Sequence, residues 1–318
     1  MPDAIPMDAA FTPPECGEER AKWLAERKFG IGGSDAAAIL GLSKYRSGWQ
    51  VWAEKTGLIE STETNEAMHW GTLSEDIIAR EWSRRTGKKI RRRTQTVRHK
   101  DHAVIAASID RDVLGESAGL EIKKVSAYCM DDWQRNGPPP DCLFQVHHYL
   151  LATGWDRWYV AAWFGHAMLS WVIERDKETL DMLARRELDW WQKHVVYGVE
   201  PDPDGSEAYT EAIKRRYANA DADAATVEIS DDLAARYASA KAGREEWERA
   251  EERCRQEIMA ALGEATMATC SMGRVTWKQQ AGRSKLDTES IEKDHPGLLA
   301  KYTTAGTPTR VLRITIKD

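Results

Sequence analysis

Between Ala103 and Val125 the chain changes character in a way that limits every fold open to it. Ala103 to Leu114 reads as a strand, Gly115 to Gly119 as a turn, and Leu120 to Val125 as the returning strand. If these strands pair across the turn, residue 110 faces residue 121. Asp110, in Ser108-Ile109-Asp110, then lies opposite Glu121, in Glu121-Ile122-Lys123, with side chains a few ångströms apart. Two carboxylates that close repel, and a bound divalent cation is the natural compensation. Lys123 lies two residues beyond Glu121 and projects from the same sheet face. A cation, two carboxylates and an ammonium suit phosphodiester hydrolysis: the metal activates water and neutralises charge, and the lysine orients the nucleophile. Taken alone the pattern is weak, since most soluble chains contain an Asp and a Glu-x-Lys by chance, and a surface hairpin with solvated charges would carry it equally well.

The flanking segments have a different period. Glycines 30, 32 and 33 feed a turn, Ser34 or Asp35 caps, and an alanine-rich helix runs to Gly41. Trp49, Val51, Trp52 and Lys55 suggest a helix closed by Gly57. Another begins near Thr72 with Leu73, Ile77, Ile78 and Trp82 at helical spacing and stops at Gly87. Glu75 falls on the face opposite that apolar set and is a candidate third carboxylate. After Gly137-Pro138-Pro139-Pro140 a helix is expected from about Cys142 to Thr153, with Gln145 and Tyr149 one turn apart on one face. A hairpin over 157–164 and 167–173 and a helix over 177–194 follow. The glycine turn before Ser34 offers backbone N–H groups to a phosphate. The order of elements implies an α/β fold.

Composition excludes several classes. With 318 residues and 42% hydrophobic content, the chain can build a core. The net charge of −6 argues against a generally polybasic protein. No apolar run approaches membrane length and Met1-Pro2-Asp3-Ala4 lacks a signal-peptide layout, so a soluble cytoplasmic protein with no membrane partner is expected. The five cysteines include no Cys-x-x-Cys pair, which gives a zinc or iron–sulfur site little support. Residues 1–18 read as a mobile tail, 19–203 as the first domain and 204–318 as a C-terminal α+β extension with a long acidic helix, a hairpin turning at Met272-Gly273, a short helix near 288–294 and a final strand over 310–317. Ser230 can cap the long helix, whose apolar stripe is Leu233, Tyr237, Trp247, Ala250, Cys254 and Ile258.

The motifs, in order, resemble the YqaJ-like viral recombinases, relatives of phage lambda exonuclease in the PD-(D/E)xK nuclease superfamily. The resemblance runs from Trp23-Leu24, Arg27 and Gly30-Ile31-Gly32-Gly33-Ser34-Asp35-Ala36 through Trp70-Gly71-Thr72-Leu73 with Glu75. It continues through Ser108 with Asp110, Leu120-Glu121-Ile122-Lys123, and Gln145 with His148-Tyr149, covering about residues 20–195. It implies a restriction-endonuclease-like core, a central mixed sheet flanked by helices. It also implies that Asp110, Glu121 and the carbonyl of Ile122 bind Mg²⁺ or Mn²⁺, that Lys123 positions or activates the attacking water, and that Glu75 helps hold the waters around the metal or a second metal. Gln145 would contact the nucleophile or scissile strand, with Tyr149 supporting it. Arg27 and Ser34, with Ser108, would grip a terminal 5′-phosphate. Ile109 stands where many relatives have proline and Arg111 where many have glycine; neither replaces a ligand.

Lys88 to Lys100 holds seven Lys or Arg and no acid. Its cations, Arg91, Arg92 and Arg93 among them, are placed to neutralise duplex phosphates, although a charged edge strand would look the same. Trp133 and Arg135 are candidates for a stacking element at the duplex end. The activity implied is a Mg²⁺-dependent 5′-to-3′ exonuclease on linear double-stranded DNA, leaving 3′ overhangs for phage-type recombination. The implied setting is the cytoplasm of a bacterial host, with a trimeric ring and a RecT- or Bet-like single-strand annealing protein as partner. Two alternatives stay open: a structure-specific or restriction-like endonuclease, and a non-catalytic DNA-end-binding adaptor.

Overall fold

The computed structural model describes residues 27–59, 66–218, 226–282, 286–304 and 314. The expected N-terminal tail, most of the first helix and all but Ile314 of the expected last strand lie outside the described residues. The chain divides into two units, residues 1–216 and 217–318. The division falls later than the composition shift at 203 because the helix Glu207–Arg216 packs Ala212 and Tyr209 against Trp49 and Trp52 of the first unit.

The first unit begins with three helices: α1 (Gly33–Ile39), α2 (Gly48–Lys55) and α3 (Glu66–Thr86). A reciprocal capping box starts α2: the Ser47 hydroxyl accepts from Gln50 N at 3.2 Å, and Gln50 Oε1 accepts from Ser47 N at 2.9 Å. Helix α3 starts six residues before Thr72, running straight through Gly71. Its buried positions are Ile78, Ala79 and Trp82, while Leu73 and Ile77, expected in the core, are exposed. The core-facing stripe is therefore 75, 78, 79 and 82. Glu75 lies on the packed side of the helix rather than the opposite face, and this placement brings it to the sheet.

Strands β1 (Ile90–Arg92), β4 (Arg111–Val113), β5 (Ala118–Lys124), β6 (Arg157–Trp163) and β7 (Met168–Glu174) form one mixed sheet in the order β1-β4-β5-β6-β7. β5 and β6 are parallel and the other neighbours antiparallel. The β4–β5 register pairs Arg111 with Leu120 and Asp112 with Gly119, so the expected alignment of 110 with 121 holds. The long strand expected over 103–114 is instead divided: Ala106–Ala107 (β3) pairs with Val97–Arg98 (β2), and the chain then turns into β4. The reversal is tighter than expected, with β5 already under way at Ala118. Gly119 has no room for a side chain, since a Cβ there would stand 2.2 Å from the Trp158 indole.

The parallel β5–β6 step needs a crossover, which helix α5 (Pro140–Thr153) supplies. Pro140 opens α5 in the first turn, where no N–H is needed, and Gly154 at φ 71° closes it. A short helix, α4 (Met130–Asn136), precedes it, and α6 (Lys177–Trp190) packs behind it. One core lies between the sheet and α5, built on Val146, Leu150, Trp158, Val160 and Phe164. Trp133 is buried in this core against Phe164 and Trp171, which removes it as a stacking element for DNA. The second core, Ile78, Trp82, Leu120, Ile122 and Tyr159, lies between the opposite sheet face and α3. Helices thus cover both faces of a mixed sheet, as the motifs led us to expect. Helix α7 is Glu207–Arg216.

The second unit contains α8 (Asp231–Leu262), the hairpin β8 (Met267–Cys270) and β9 (Gly273–Thr276), and two short helices, α9 (Thr288–Asp294) and α10 (Leu298–Tyr302). Ser230 caps α8 by accepting from Leu233 N at 3.2 Å, and the hairpin turns at Ser271 and Met272.

Candidate active site

Along β5 alternate residues face alternate layers. Leu120 and Ile122 enter the core with α3, so Glu121 and Lys123 face α5. Asp110, one residue before β4, joins them: its Oδ2 accepts from the Ile122 N–H at 2.9 Å. From α5, Gln145 and Tyr149 point at the same spot one helical turn apart. The Gln145 amide accepts from Lys123 Nζ at 2.8 Å and donates to Glu121 Oε1 at 3.0 Å and to the Tyr149 hydroxyl at 2.7 Å. Lys123 Nζ also reaches Glu121 Oε1 at 2.6 Å. One oxygen of Glu121 is thereby held, while Oε2 is buried with no hydrogen-bond partner.

Three carboxylates share this space. Burial, then the proximity of Glu121 and Glu75, pushes the Asp110 carboxyl well above the usual range. Burial and Glu121 also raise Glu75, against the pull of Arg111, which stands 3.8 Å away. Burial opposes the charge of Lys123, but Glu121 and Asp110 outweigh it and hold the proton on the ammonium. Tyr149 is raised by burial and by the same two acids, so it stays a phenol. Cys142, at the start of α5, is pushed up to about 12 by burial, and Lys123 pulls against that shift, so it is no nucleophile.

An orphaned carboxylate oxygen beside a second acid whose charge is strongly disfavoured fits a divalent cation, a hard ion that takes oxygen ligands. Among the described residues no group of three or more His, Cys, Asp or Glu side chains is placed to hold a metal ion. An open site of one or two carboxylates completed by water and phosphate oxygens is the usual habit of Mg²⁺.

A cavity of about 370 Å³ leads away from this cluster. Glu75, Gln145 and Tyr149 line it, and so do Arg27, Ser34, Ser108 and the glycines 30, 32 and 33. The structure thus brings the three expected phosphate ligands into one cavity with Glu75, Gln145 and Tyr149, while Asp110, Glu121 and Lys123 lie outside its lining. Arg27 donates from Nη2 to the Ser34 hydroxyl at 2.6 Å and to Asp35 Oδ1 at 3.0 Å. Gly33 lets α1 approach α5 closely, since a Cβ would stand 2.5 Å from the Tyr149 ring.

Asp35, read from sequence only as a possible cap, is the centre of a buried network. Arg27 and Arg46 meet its Oδ1, and Lys55 Nζ meets Oδ2 at 2.8 Å. Oδ2 also accepts from Gly32 N at 2.9 Å, which fixes the glycine turn. Burial alone would raise Asp35, but Arg46, Lys55 and Arg27 outweigh it and hold the carboxyl well below its ordinary value. The hint in the sequence was a lone acid in an otherwise small and apolar helix, Gly33-Ser34-Asp35-Ala36-Ala37-Ala38-Ile39.

The basic segment does not act as one block. Arg91 and Arg93 both hydrogen-bond to Asp112 on β4, at 2.8–2.9 Å. Arg92 lies on the other face, close enough to Glu75 to stabilise its charge. Two of the three arginines expected to meet DNA are therefore committed to an internal acid. Arg111, where many relatives have glycine, is buried and pairs with Asp76 and Glu75.

Residues 22–156 match the family model of the YqaJ-like viral recombinase domain. An uncharacterized protein, YqaJ of Bacillus subtilis (strain 168), is 42% identical over 203 residues, 63% of this chain and 64% of that one. The chain thus spans under two thirds of the length of this curated relative. Among solved structures, an alkaline exonuclease from Laribacter hongkongensis has a TM-score of 0.49 at 21% identity, covering 62% of this chain and 97% of that one. A phage-related exonuclease from Haemophilus somnus has a TM-score of 0.42 at 11% identity, covering 56% and 100%. Residues 22–156 thus match the family that the sequence motifs resemble.

Proposed function

We propose that this chain is a divalent-metal-dependent deoxyribonuclease that digests the 5′-ended strand of linear duplex DNA and leaves 3′ overhangs for recombination. One observation carries the reading: Arg27, Ser34 and Ser108 line the same cavity as Glu75, Gln145 and Tyr149, and Gln145 hydrogen-bonds directly to Glu121 and Lys123. An enzyme that cuts within a strand needs no pocket for a chain end. An enzyme that works inward from an end gains from gripping the terminal phosphate a fixed distance from the bond to be cut.

Asp110 and Glu121 would hold Mg²⁺ or Mn²⁺, with the Ile122 carbonyl, and Glu75 would help hold the waters around it or a second metal. The cation supplies an activated water and neutralises charge on the scissile phosphate. Gln145 fixes the carboxylate by donating to one oxygen of Glu121, which leaves the other oxygen buried without a hydrogen-bond partner. Lys123 stays an ammonium and acts by charge and hydrogen bonding, orienting the nucleophile and offsetting negative charge in the transition state. Tyr149 supports Gln145 from below. Arg27, held by Asp35, presents its guanidinium with Ser34 and Ser108 to the 5′-phosphate. From the motif resemblance the proposal extends to a ring trimer around the duplex, a single-strand annealing protein as partner, and a bacterial cytoplasm as the setting.

Linear duplex labelled at either end, with 5′-phosphate or 5′-hydroxyl termini, tests the reading in Mg²⁺ and in EDTA. Loss of the 5′-ended strand, faster with phosphate and abolished by EDTA, is the expected result. Cutting of covalently closed circles would favour the endonuclease alternative. Binding of ends without digestion in any divalent metal would favour the adaptor.

A further inference from the structure

Helix α8 is 32 residues long, about 48 Å at 1.5 Å per residue. Over that length only Leu262 is buried. Leu233, Tyr237, Trp247 and Ile258 are 46%, 42%, 78% and 43% exposed. These positions are not scattered. Residues 233, 237, 240, 244, 247, 251, 254 and 258 alternate steps of four and three, the heptad seam of a coiled coil. Six of the eight are apolar: Leu233, Tyr237, Ala240, Trp247, Cys254 and Ile258. The other two are Arg244 and Glu251. Charged groups pair along the helix's own length, Arg236 with Asp232 and Arg255 with Glu252 off the seam and the seam's Arg244 with Glu248.

We propose that α8 pairs with α8 of a second copy of this chain in an antiparallel coiled coil. The two polar seam positions select both the partner and the direction. In a parallel pair Arg244 meets Arg244 and Glu251 meets Glu251, and both contacts repel. In an antiparallel pair the register that uses all eight positions sets 233 against 258, 237 against 254, 240 against 251, and 244 against 247. Leu233 then meets Ile258, the large Tyr237 meets the small Cys254, and Glu251 has room beside Ala240. Arg244 lies over the partner's Trp247, a cation–π arrangement, one layer from the partner's Glu251. The contact is isologous, so one two-fold axis near residue 245 satisfies every seam position twice. It uses no residue of the first unit, so it is independent of the nuclease reading and doubles whatever assembly that unit forms.

The full-length chain answers the question by light scattering after gel filtration, with and without Leu233→Glu, Trp247→Glu and Ile258→Glu together. Those side chains are exposed, so the fold of the first unit is expected to survive, which circular dichroism checks. The expected mass of the variant is half that of the parent. A monomeric parent, or equal masses, overturns the proposal. The register has a separate test: Tyr237→Cys, oxidised with copper phenanthroline, should give a covalent dimer on a non-reducing gel that disappears when Cys254→Ser is added. A dimer linked through Cys254 in the parent chain would mean parallel pairing and would equally overturn it.

Discussion

Two buried charge clusters flank one cavity, and they are balanced in opposite ways. Around Asp35 three cations meet one acid, every oxygen is engaged, and the carboxyl titrates well below its ordinary range. Around Lys123 the ammonium pairs with Glu121, Glu75 is drawn instead to Arg111, a Glu121 oxygen is left without a partner, and Asp110 titrates well above its ordinary range. Both clusters are desolvated, so solvent explains neither. The first is electrostatically complete in the chain alone and reads as structure that holds Arg27 in place. In the second, burial and the neighbouring acids disfavour the charge of Asp110 more than Lys123 and the Ile122 N–H favour it, an imbalance that a bound cation would correct.

The sharpest way to break this contrast is to neutralise one member of each cluster. Lys123→Ala and Glu121→Gln should lower the rate of strand digestion by about a thousandfold or more, as expected when a group facing the reacting phosphate is lost. Their far-UV circular dichroism should be unchanged. Activity close to the parent's in either variant would remove these residues from catalysis. Asp35→Ala should act on stability instead, because it removes the acid shared by Arg27, Arg46 and Lys55 and leaves Arg46 only Glu54, at a cost of about 3–5 kcal/mol. Thermal unfolding would show a Tm lower by roughly 10 °C. Asp110→Asn, by contrast, relieves repulsion, and in metal-free buffer its Tm should not fall. Equal losses in both variants would mean that the clusters are alike.

Titration sharpens the same point. Asp35 has a depressed folded-state pKa, so its contribution to stability is present above the unfolded value of about 3.9 and is lost as pH falls through the folded value. Acid unfolding of the parent should therefore steepen below about pH 4, and Asp35→Asn should remove that part of the slope. Asp110 has a raised folded-state pKa, so its ionisation in the folded chain costs stability as pH rises, and Asp110→Asn should be stabilising toward neutral pH. The opposite slope in either variant would reverse the assignment.

Smaller effects probe the wall between the clusters. Gly33→Ala must displace Tyr149 or Gln145, since the new Cβ would sit 2.5 Å from the ring, and overpacking of this kind costs about 1–3 kcal/mol. Its digestion rate should fall with its Tm. Ser34→Ala removes one hydrogen bond to Arg27, worth about 1 kcal/mol, and should reduce the preference for 5′-phosphate over 5′-hydroxyl ends severalfold while leaving the 5′-hydroxyl rate alone. An unchanged preference would separate Ser34 from end recognition.

Much of the second cluster was legible in the sequence because strands carry a period of two and the Gly115 turn fixes which residues face each other. Asp110, Glu121 and Lys123 come together as those rules require, whereas Gln145 and Tyr149 were placed beside them only by the motif resemblance. Glu75 was placed on the wrong side of its helix, because apolar residues at 73, 77, 78 and 82 are compatible with two stripes and only packing on the sheet chooses between them. The first cluster was illegible for a different reason. Arg27, Arg46 and Lys55 belong to three separate segments, and no local period relates them to Asp35. The pairing of Arg91 and Arg93 with Asp112 was not legible, because the opposing strand supplies an acid that sequence order does not associate with the basic run.

Electron paramagnetic resonance can count free Mn²⁺ during titration of the metal-free protein. Saturable binding in the parent chain, lost in Asp110→Asn and in Glu121→Gln but kept in Ser34→Ala, is the expected result. Mn²⁺ binding that is undiminished in both carboxylate variants would contradict the assignment of a cation to the acid cluster.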